Sequence, residues 1–190
     1  MKHPNAQQRI DLHLQEGKQV GTLYHWTDMR GCIGILESDA IWSKGGPSRG
    51  GAVSFTRDKD TSFWGDDLMW RFRVDGDKIS QRFKIGPYAD TDTGFSRQSG
   101  RPEAEEQVVL PKGAQIKPLR RYVIALEWHG RDLDLEGAAE IAEAADDAGG
   151  VYNLSREERG WDYDLIDSAV DIARCLDLAK ETGVRVEDHH

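Results

Sequence analysis

The chain has few cysteines, no long apolar run and no signal-peptide pattern, and each of these absences excludes a class of protein. Its two cysteines, Cys32 and Cys175, are too few for a disulfide scaffold and are typical of a protein in a reducing cytoplasm. No apolar run approaches the roughly 20 residues of a membrane-spanning helix. The polar, amphipathic residues 1–17 have no signal-peptide pattern. The sequence therefore predicts a cytoplasmic protein without a membrane partner.

The chain also lacks the local motifs of common catalytic sites. Its 6 histidines include no pair at the helical spacing of a zinc protease, and the cysteines form no zinc-binding pair. The acidic clusters at 75–77 and 90–92 lack the ligand spacing of a calcium loop. P-loop, dinucleotide and nucleophile-elbow motifs are missing too. The sequence predicts no metal site and gives His189 and His190 no role, so any active site must be assembled from separated strands.

Acidic residues outnumber basic ones by 34 to 25, and the resulting net charge of −9 disfavours a nonspecific nucleic-acid coat protein. The charge is uneven along the chain. Residues 131–190 carry 6 basic and 17 acidic side chains, whereas residues 1–130 carry 19 basic and 17 acidic ones. This division predicts a core over 1–130 and an acidic helical extension over 131–190 that packs on it. The acidity belongs to the extension and says little about what the core binds.

Hydrophobic periodicity predicts strands in the first part of the chain and helices in the last. The predicted strands are Val20–Trp26, Ala40–Ser43, Ala52–Thr56, Leu68–Val74, Glu106–Leu110 and Arg121–Trp128. The predicted helices are Asn5–Glu16, a segment from Asp28 to about Ser38 with Asp28 as its N-cap, Leu135–Ala148 and Tyr163–Thr182.

Glycine and polar clusters predict the connections between these elements. Lys44–Gly51 is predicted to be a turn or loop, Asp75-Gly76 a turn, and Tyr88–Pro102 a long surface loop. Strands come early and helices late, without regular alternation. That order favours an α+β fold over a doubly wound sheet.

Three separated segments combine polar or charged side chains with strand patterns. The first is Leu23–Thr27, which contains His25 and precedes a capped helix. The second is Ala52–Asp58, a strand that ends in hydroxyl and basic residues. The third is Glu103–Val109, in which acidic residues lead directly into an apolar strand. These segments hold the candidate site.

As an ordered set over about residues 20–127, these segments resemble the ADP-ribosyltransferase superfamily, above all its DNA-targeting toxins and related phage proteins. Tyr24-His25-Trp26-Thr27 is similar to the Tyr-His-x-Thr opening of those toxins. Ile35-Leu36 and Ala40–Ser43 are similar to the helix and short strand that follow it. Glu106-Gln107-Val108-Val109 resembles their catalytic Glu at the start of an apolar strand.

The resemblance implies a fold and an activity. The fold would consist of split antiparallel β-sheets with flanking helices, followed here by the helical extension. The activity would be that of a glycosyltransferase that uses NAD as co-substrate and transfers ADP-ribose to a macromolecular acceptor (DNA, RNA or protein). The likeness to phage proteins implies a role in phage–host conflict, in the host cytoplasm if the chain is phage-encoded.

The resemblance also implies catalytic residues. Cleavage of the nicotinamide–ribose bond creates an oxocarbenium-like centre, which a nearby carboxylate stabilises. Glu106 is the candidate, because it directly precedes the apolar pattern. Strand alternation puts Glu105 on the opposite face, so only one of the two can face a cleft. Arg57 would bind the pyrophosphate or orient the acceptor through charge-assisted hydrogen bonds.

The remaining candidate residues would bind NAD. His25 would hold the hydroxyls of the adenosine ribose, assisted by Thr27. Trp26 or Tyr24 would stack on the nicotinamide or line its pocket. Ser54 is the candidate for the middle residue of the superfamily's catalytic trio, and it also suits a strand residue that packs near the site.

The chain departs from the family pattern in three respects. Its first strand has His25 where one branch of the superfamily has Arg. Its middle segment offers Ser54 and Thr56 but no Tyr. Residues 131–190 have no counterpart in the pattern.

Structural roles for these residues and two other functions also stay open. A strand histidine such as His25 is often structural, and Arg57 also suits a salt bridge to Asp58 or Asp60. One rival function is a non-catalytic relative that inhibits a host protein by binding it. The other is an NAD-independent ribonuclease-like toxin that uses His25 and Glu106 as acid and base.

Overall fold

The computed structural model describes residues 19–46, 50–57, 69–87, 105–111, 113–157 and 162–190. The strands in these ranges are β1 (Thr22–Thr27), β2 (Ile41–Trp42), β3 (Lys44–Gly46), β4 (Gly50–Thr56), β5 (Trp70–Asp75), β6 (Ile85–Pro87), β7 (Glu105–Leu110), β8 (Gln115–Ile116), β9 (Val123–Trp128) and β10 (Val186–Asp188). The α-helices in these ranges are α1 (Met29–Ser38), α2 (Gly76–Ser80), α3 (Leu135–Asp147), α4 (Val151–Glu157) and α5 (Tyr163–Thr182). The predicted helix Asn5–Glu16 and loop Tyr88–Pro102 lie outside the described residues.

Eight of the strands form one mostly antiparallel sheet. Seven follow the order β10-β9-β5-β1-β4-β7-β6, and β3 pairs with β4 in addition. The pair β9–β10 is parallel, whereas β1–β4, β4–β7 and β6–β7 are antiparallel. β2 and β8 form a separate two-stranded antiparallel sheet. The fold is therefore α+β, as the sequence predicts.

The strongly periodic segments adopt the predicted elements. Each of these segments begins and ends within two residues of its predicted bounds. The strands are β1, β4, β5, β7 and β9, and the helices are α1, α3 and α5. The predicted N-cap of α1 is confirmed, because the carboxylate of Asp28 accepts a hydrogen bond from the amide of Gly31 at 2.6 Å. Within the described residues, no helix has both the length and the apolar composition that a membrane crossing needs.

Two predicted connections were wrong. Lys44–Gly46 and Gly50–Gly51, predicted as loop, belong to β3 and β4, where Gly45 pairs with Gly51. The hydrogen bonds of the strand ladder satisfy the backbone N–H and C=O groups of these residues, and no side chains are needed. Asp75-Gly76, predicted as a turn, instead starts α2, because the Asp75 side chain accepts from the Lys78 amide at 3.0 Å. An aspartate suits a turn and an N-cap equally well, so its sequence signal does not separate the two.

The described residues group into two compact units. The first comprises those of Met1–His25, Asp39–Phe63 and Phe72–Ile124, and the second those of Trp26–Ser38, Trp64–Arg71 and Ala125–His190. The first unit buries aliphatic and aromatic side chains of its strands and of α2, namely Leu23, Val53, Phe55, Phe72, Val74, Ile79, Ile85 and Val108. The predicted boundary near residue 130, and the packing of the extension on the core, stay predictions.

The second unit has a core of helix residues and two tryptophans. Helices α1, α3 and α4 pack on α5, and the rings of Trp70 and Trp128 lie 4.8 Å apart. Cys32 and Cys175 are buried free thiols. Burial raises the pKa of Cys32, which keeps its thiol protonated and unreactive.

Helix α5 carries a testable cap at its start. The Asp162 carboxylate accepts a hydrogen bond from the Leu165 amide at 2.7 Å. We expect Asp162→Ala to lower the free energy of unfolding by about 1 kcal/mol, because that amide loses its acceptor. Asp167→Ala, which removes an exposed carboxylate from the same helix, is the matched control. Urea denaturation measures both, and an equal change in the two variants would contradict a capping role.

Candidate functional site

The three candidate segments lie on neighbouring strands. β1, β4 and β7 are far apart in sequence but adjacent in the sheet, with β4 in the middle. Tyr24 pairs with Thr56 across β1 and β4, and Phe55 pairs with Glu106 across β4 and β7. The sheet thus brings together segments that the sequence could only place in order.

The register also decides which side chains share a face. Cross-strand partners lie on the same face, and successive residues alternate. Because Tyr24 pairs with Thr56, His25 lies on the face of Phe55, and Phe55 shares its face with its partner Glu106. The rings of His25 and Phe55 are 5.6 Å apart. We refer to His25, Phe55 and Glu106 as the central row.

Glu106 is a fully buried carboxylate at one end of this row. The guanidinium Nη2 of Arg57 lies 3.4 Å from its Oε1, and the Arg57 side chain is 47% exposed. A buried carboxylate needs such a partner, because losing its hydration without compensation costs several kcal/mol. The two residues predicted to be catalytic are therefore in contact, and the arginine of the pair is open to solvent.

His25 is held by the backbone of the neighbouring strand. Its Nδ1 lies 2.9 Å from the carbonyl oxygen of Ser54. A carbonyl oxygen can only accept, so Nδ1 is the donor and carries the proton. In the neutral ring, Nε2 then has the lone pair and can accept a hydrogen bond from a hydroxyl group.

The other candidates are divided between the faces of the sheet. Alternation along β1 places His25 and Thr27 on one face of that strand, and Tyr24 and Trp26 on the opposite face. Ser54 also lies on that opposite face, where its Oγ accepts a hydrogen bond from Gln107 Nε2 at 3.4 Å. The backbone of Glu105 pairs with Thr56. The middle position of the central row is thus taken by Phe55, not by a hydroxyl residue.

The structure contains a second group of buried polar residues that the sequence does not predict. Arg71 Nε donates to Glu127 Oε2 at 2.5 Å, and both side chains are buried. The guanidinium carbon of Arg71 lies 4.9 Å from the centroid of the Trp26 ring, a cation–π distance. Burial and the positive charge of Arg71 lower the pKa of nearby His129 to about 4. Strand propensity alone gives no hint of this pair, because neither residue is apolar.

The central row can act on a substrate that has both a hydroxyl-bearing sugar and an anionic group. Together with Arg57, which follows β4, the row offers an imidazole, a buried carboxylate and a half-exposed guanidinium. A carboxylate in such surroundings stabilises nearby positive charge more strongly than it would in water. Comparisons of the chain with protein-family models, curated proteins and solved structures give no match.

Proposed function

We propose that the chain is an NAD-dependent ADP-ribosyltransferase with the split-sheet fold of that superfamily. One observation carries the proposal. The residues that resemble the superfamily's motifs lie on adjacent strands, with His25 and Glu106 on one face and Arg57 in contact with Glu106. The acceptor would be a macromolecule, either a nucleic acid or a protein.

His25 would bind the adenosine ribose. The bond from Nδ1 to the Ser54 carbonyl fixes the ring and, in its neutral form, puts the lone pair on Nε2, where a ribose hydroxyl can donate to it. A ring that is already held loses little freedom when the sugar binds. Thr27 would supply a further hydroxyl.

Glu106 would stabilise the reacting ribose. When the bond between ribose C1′ and the nicotinamide nitrogen breaks, its electron pair leaves with nicotinamide and the sugar becomes oxocarbenium-like. The buried carboxylate would face that positive charge and would accept a hydrogen bond from a ribose hydroxyl. The acceptor nucleophile then forms the new bond to C1′ and passes its proton to solvent water.

Arg57 would bind NAD next to Glu106. Its guanidinium contacts Glu106 Oε1 and is about half exposed. The pyrophosphate of NAD is also a suitable partner for a guanidinium, because the pairing can be bidentate and charge-assisted. Arg57 would thus bind the pyrophosphate beside the carboxylate that acts on the ribose.

NAD-dependent labelling tests this function. The purified chain is incubated with adenylate-labelled NAD and a cell lysate, and we expect release of nicotinamide and transfer of label to a macromolecule. NAD should also raise the melting temperature of the chain, and His25→Ala should remove most of that rise. His190→Ala, outside the central row, is the matched control.

Two outcomes would point to the rival functions. Degradation of RNA without NAD would favour a ribonuclease-like toxin. A stable stoichiometric partner, with neither nicotinamide release nor an NAD-induced rise in melting temperature, would favour an inhibitor that acts by binding.

A further inference from the structure

The sequence Glu-x-His occurs twice in strand segments 60 residues apart, as Glu127-Trp128-His129 and Glu187-Asp188-His189. β9 and β10 pair in parallel, with Glu127 directly opposite Glu187. The ladder continues past both strands, since the His189 amide donates to the Trp128 carbonyl at 2.9 Å. Because alternate residues share a face, both glutamates and both histidines lie on one face of the sheet.

Three of these side chains converge. One ligand atom from each of Glu127, Glu187 and His189 lies within 4.8 Å of the other two. His189 Nε2 lies 3.5 Å from Glu187 Oε2. In a tetrahedral zinc site with bonds of about 2.0–2.1 Å, ligand atoms are roughly 3.3 Å apart. Small side-chain adjustments would therefore complete a metal-binding geometry.

The fourth side chain supplies a second, independent indication of a ligand. His129 stacks on His189, with ring centroids 5.0 Å apart and planes 14° from parallel. Its Nε2 atom is buried, lies 3.8 Å from Glu127 Oε2 and makes no hydrogen bond within the described part of the chain. A buried imidazole nitrogen without a hydrogen bond is unusual, and a metal ion or its bound water would satisfy it.

Each of the two glutamates also contacts an arginine. Arg71 Nε donates to Glu127 Oε2 at 2.5 Å, and Arg185 Nη2 lies 2.7 Å from Glu187 Oε1. A carboxylate has about four lone-pair positions, so it can accept from an arginine and still bind a cation. Such outer partners fix the orientation of ligating carboxylates. Their positive charge also makes the site weaker than one built from uncompensated acids.

We propose that Glu127, Glu187 and His189 bind a divalent transition-metal ion of the zinc type. The donor set of imidazole nitrogen and carboxylate oxygen suits zinc, whereas magnesium and calcium prefer oxygen ligands alone. Three protein ligands leave a fourth position beside His129 Nε2. The ion would join β10, which is at the edge of the sheet, to β9.

Calorimetric titration with zinc chloride tests the site. The chain is prepared without an added histidine tag and stripped of metal with EDTA. We expect one zinc ion to bind per chain. Glu187→Gln and His189→Ala should each weaken binding at least about tenfold. Their matched controls are Glu181→Gln, an exposed residue of α5, and His190→Ala, the neighbouring histidine, and both should bind as the unaltered chain does.

Hydrogen exchange gives a readout that does not depend on calorimetry. Zinc should slow exchange of the amides of β10 in the unaltered chain and in His190→Ala but not in His189→Ala. Circular dichroism in EDTA establishes that each variant is folded. The proposal is overturned if the unaltered chain binds no zinc, if both site variants bind it normally, or if His190→Ala loses binding as fully as His189→Ala.

Discussion

Glu106→Gln is expected to lower the rate of nicotinamide release by about 10²–10³-fold, the range measured when an enzyme loses one preorganised electrostatic group. Glutamine has nearly the shape of glutamate and can still accept from Arg57, but it has no charge to stabilise an oxocarbenium-like sugar. The affinity for NAD should change much less than the rate, because the charge acts mainly in the transition state. Steady-state kinetics of nicotinamide release separates the two effects.

Stability measurements distinguish this loss from misfolding. Arg57 is about half exposed, so solvent screens its pairing with Glu106 and the substitution should cost no more than about 1 kcal/mol. Glu136→Gln, at an exposed position of α3, is the matched control and should keep full activity. Full activity in Glu106→Gln would show that this carboxylate is not catalytic, whatever the reaction.

Arg71→Met is expected to lower the free energy of unfolding by about 3–5 kcal/mol, because it leaves the Glu127 carboxylate buried without its partner. Both side chains of this pair are more than nine-tenths buried. The variant also loses the contact of Arg71 with the Trp26 ring, which adds about 0.5–2 kcal/mol. Urea denaturation in EDTA measures the loss without any contribution from bound metal.

The double variant Arg71→Met/Glu127→Leu tests the cause. Removing both charges relieves the uncompensated carboxylate, so the double variant should be more stable than Arg71→Met alone. If Glu127→Leu instead adds its own full cost to that of Arg71→Met, the two charges are not coupled. The destabilisation would then come from lost packing around Arg71.

The sequence predicts most of the local structure, because the strong periodic patterns report burial directly. α5 begins and ends at the predicted residues, Tyr163 and Thr182, since its apolar positions recur at helical spacing between Asp162 and Gly183. The glycine-rich segment around Gly45 and Gly51 is different. Its pairing depends on the partner strand and not on side chains, so composition alone favours a loop.

The candidate site depends on register, which the sequence does not specify. The sequence named His25, Ser54 and Glu106 as members of one set. Their faces follow from the pairing of Tyr24 with Thr56 and of Phe55 with Glu106. A shift of one residue would exchange the faces. For that reason the sequence could not tell that Ser54 lies on the face opposite His25 and Glu106.

The Glu-x-His pair shows a second limit of local pattern. No two histidines stand at the helical spacing of a zinc site, so the sequence predicts no role for His189. β10 follows the long helix α5 and pairs in parallel with β9. That pairing joins residues 60 positions apart. No local signal encodes such a contact, and the repeated Glu-x-His motif in two strand-like segments is its only trace in the sequence.

NAD cleavage is the central claim, and the release of nicotinamide from NAD in the presence of a cell lysate tests it most directly. The unaltered chain and Glu106→Gln are assayed side by side at equal concentration. The predicted result is release by the unaltered chain, with transfer of the adenylate label to a macromolecule, and little of either by the variant. Nicotinamide release by the unaltered chain no faster than by the lysate alone would contradict the claim, whereas equal release by the two proteins would contradict only the role of Glu106.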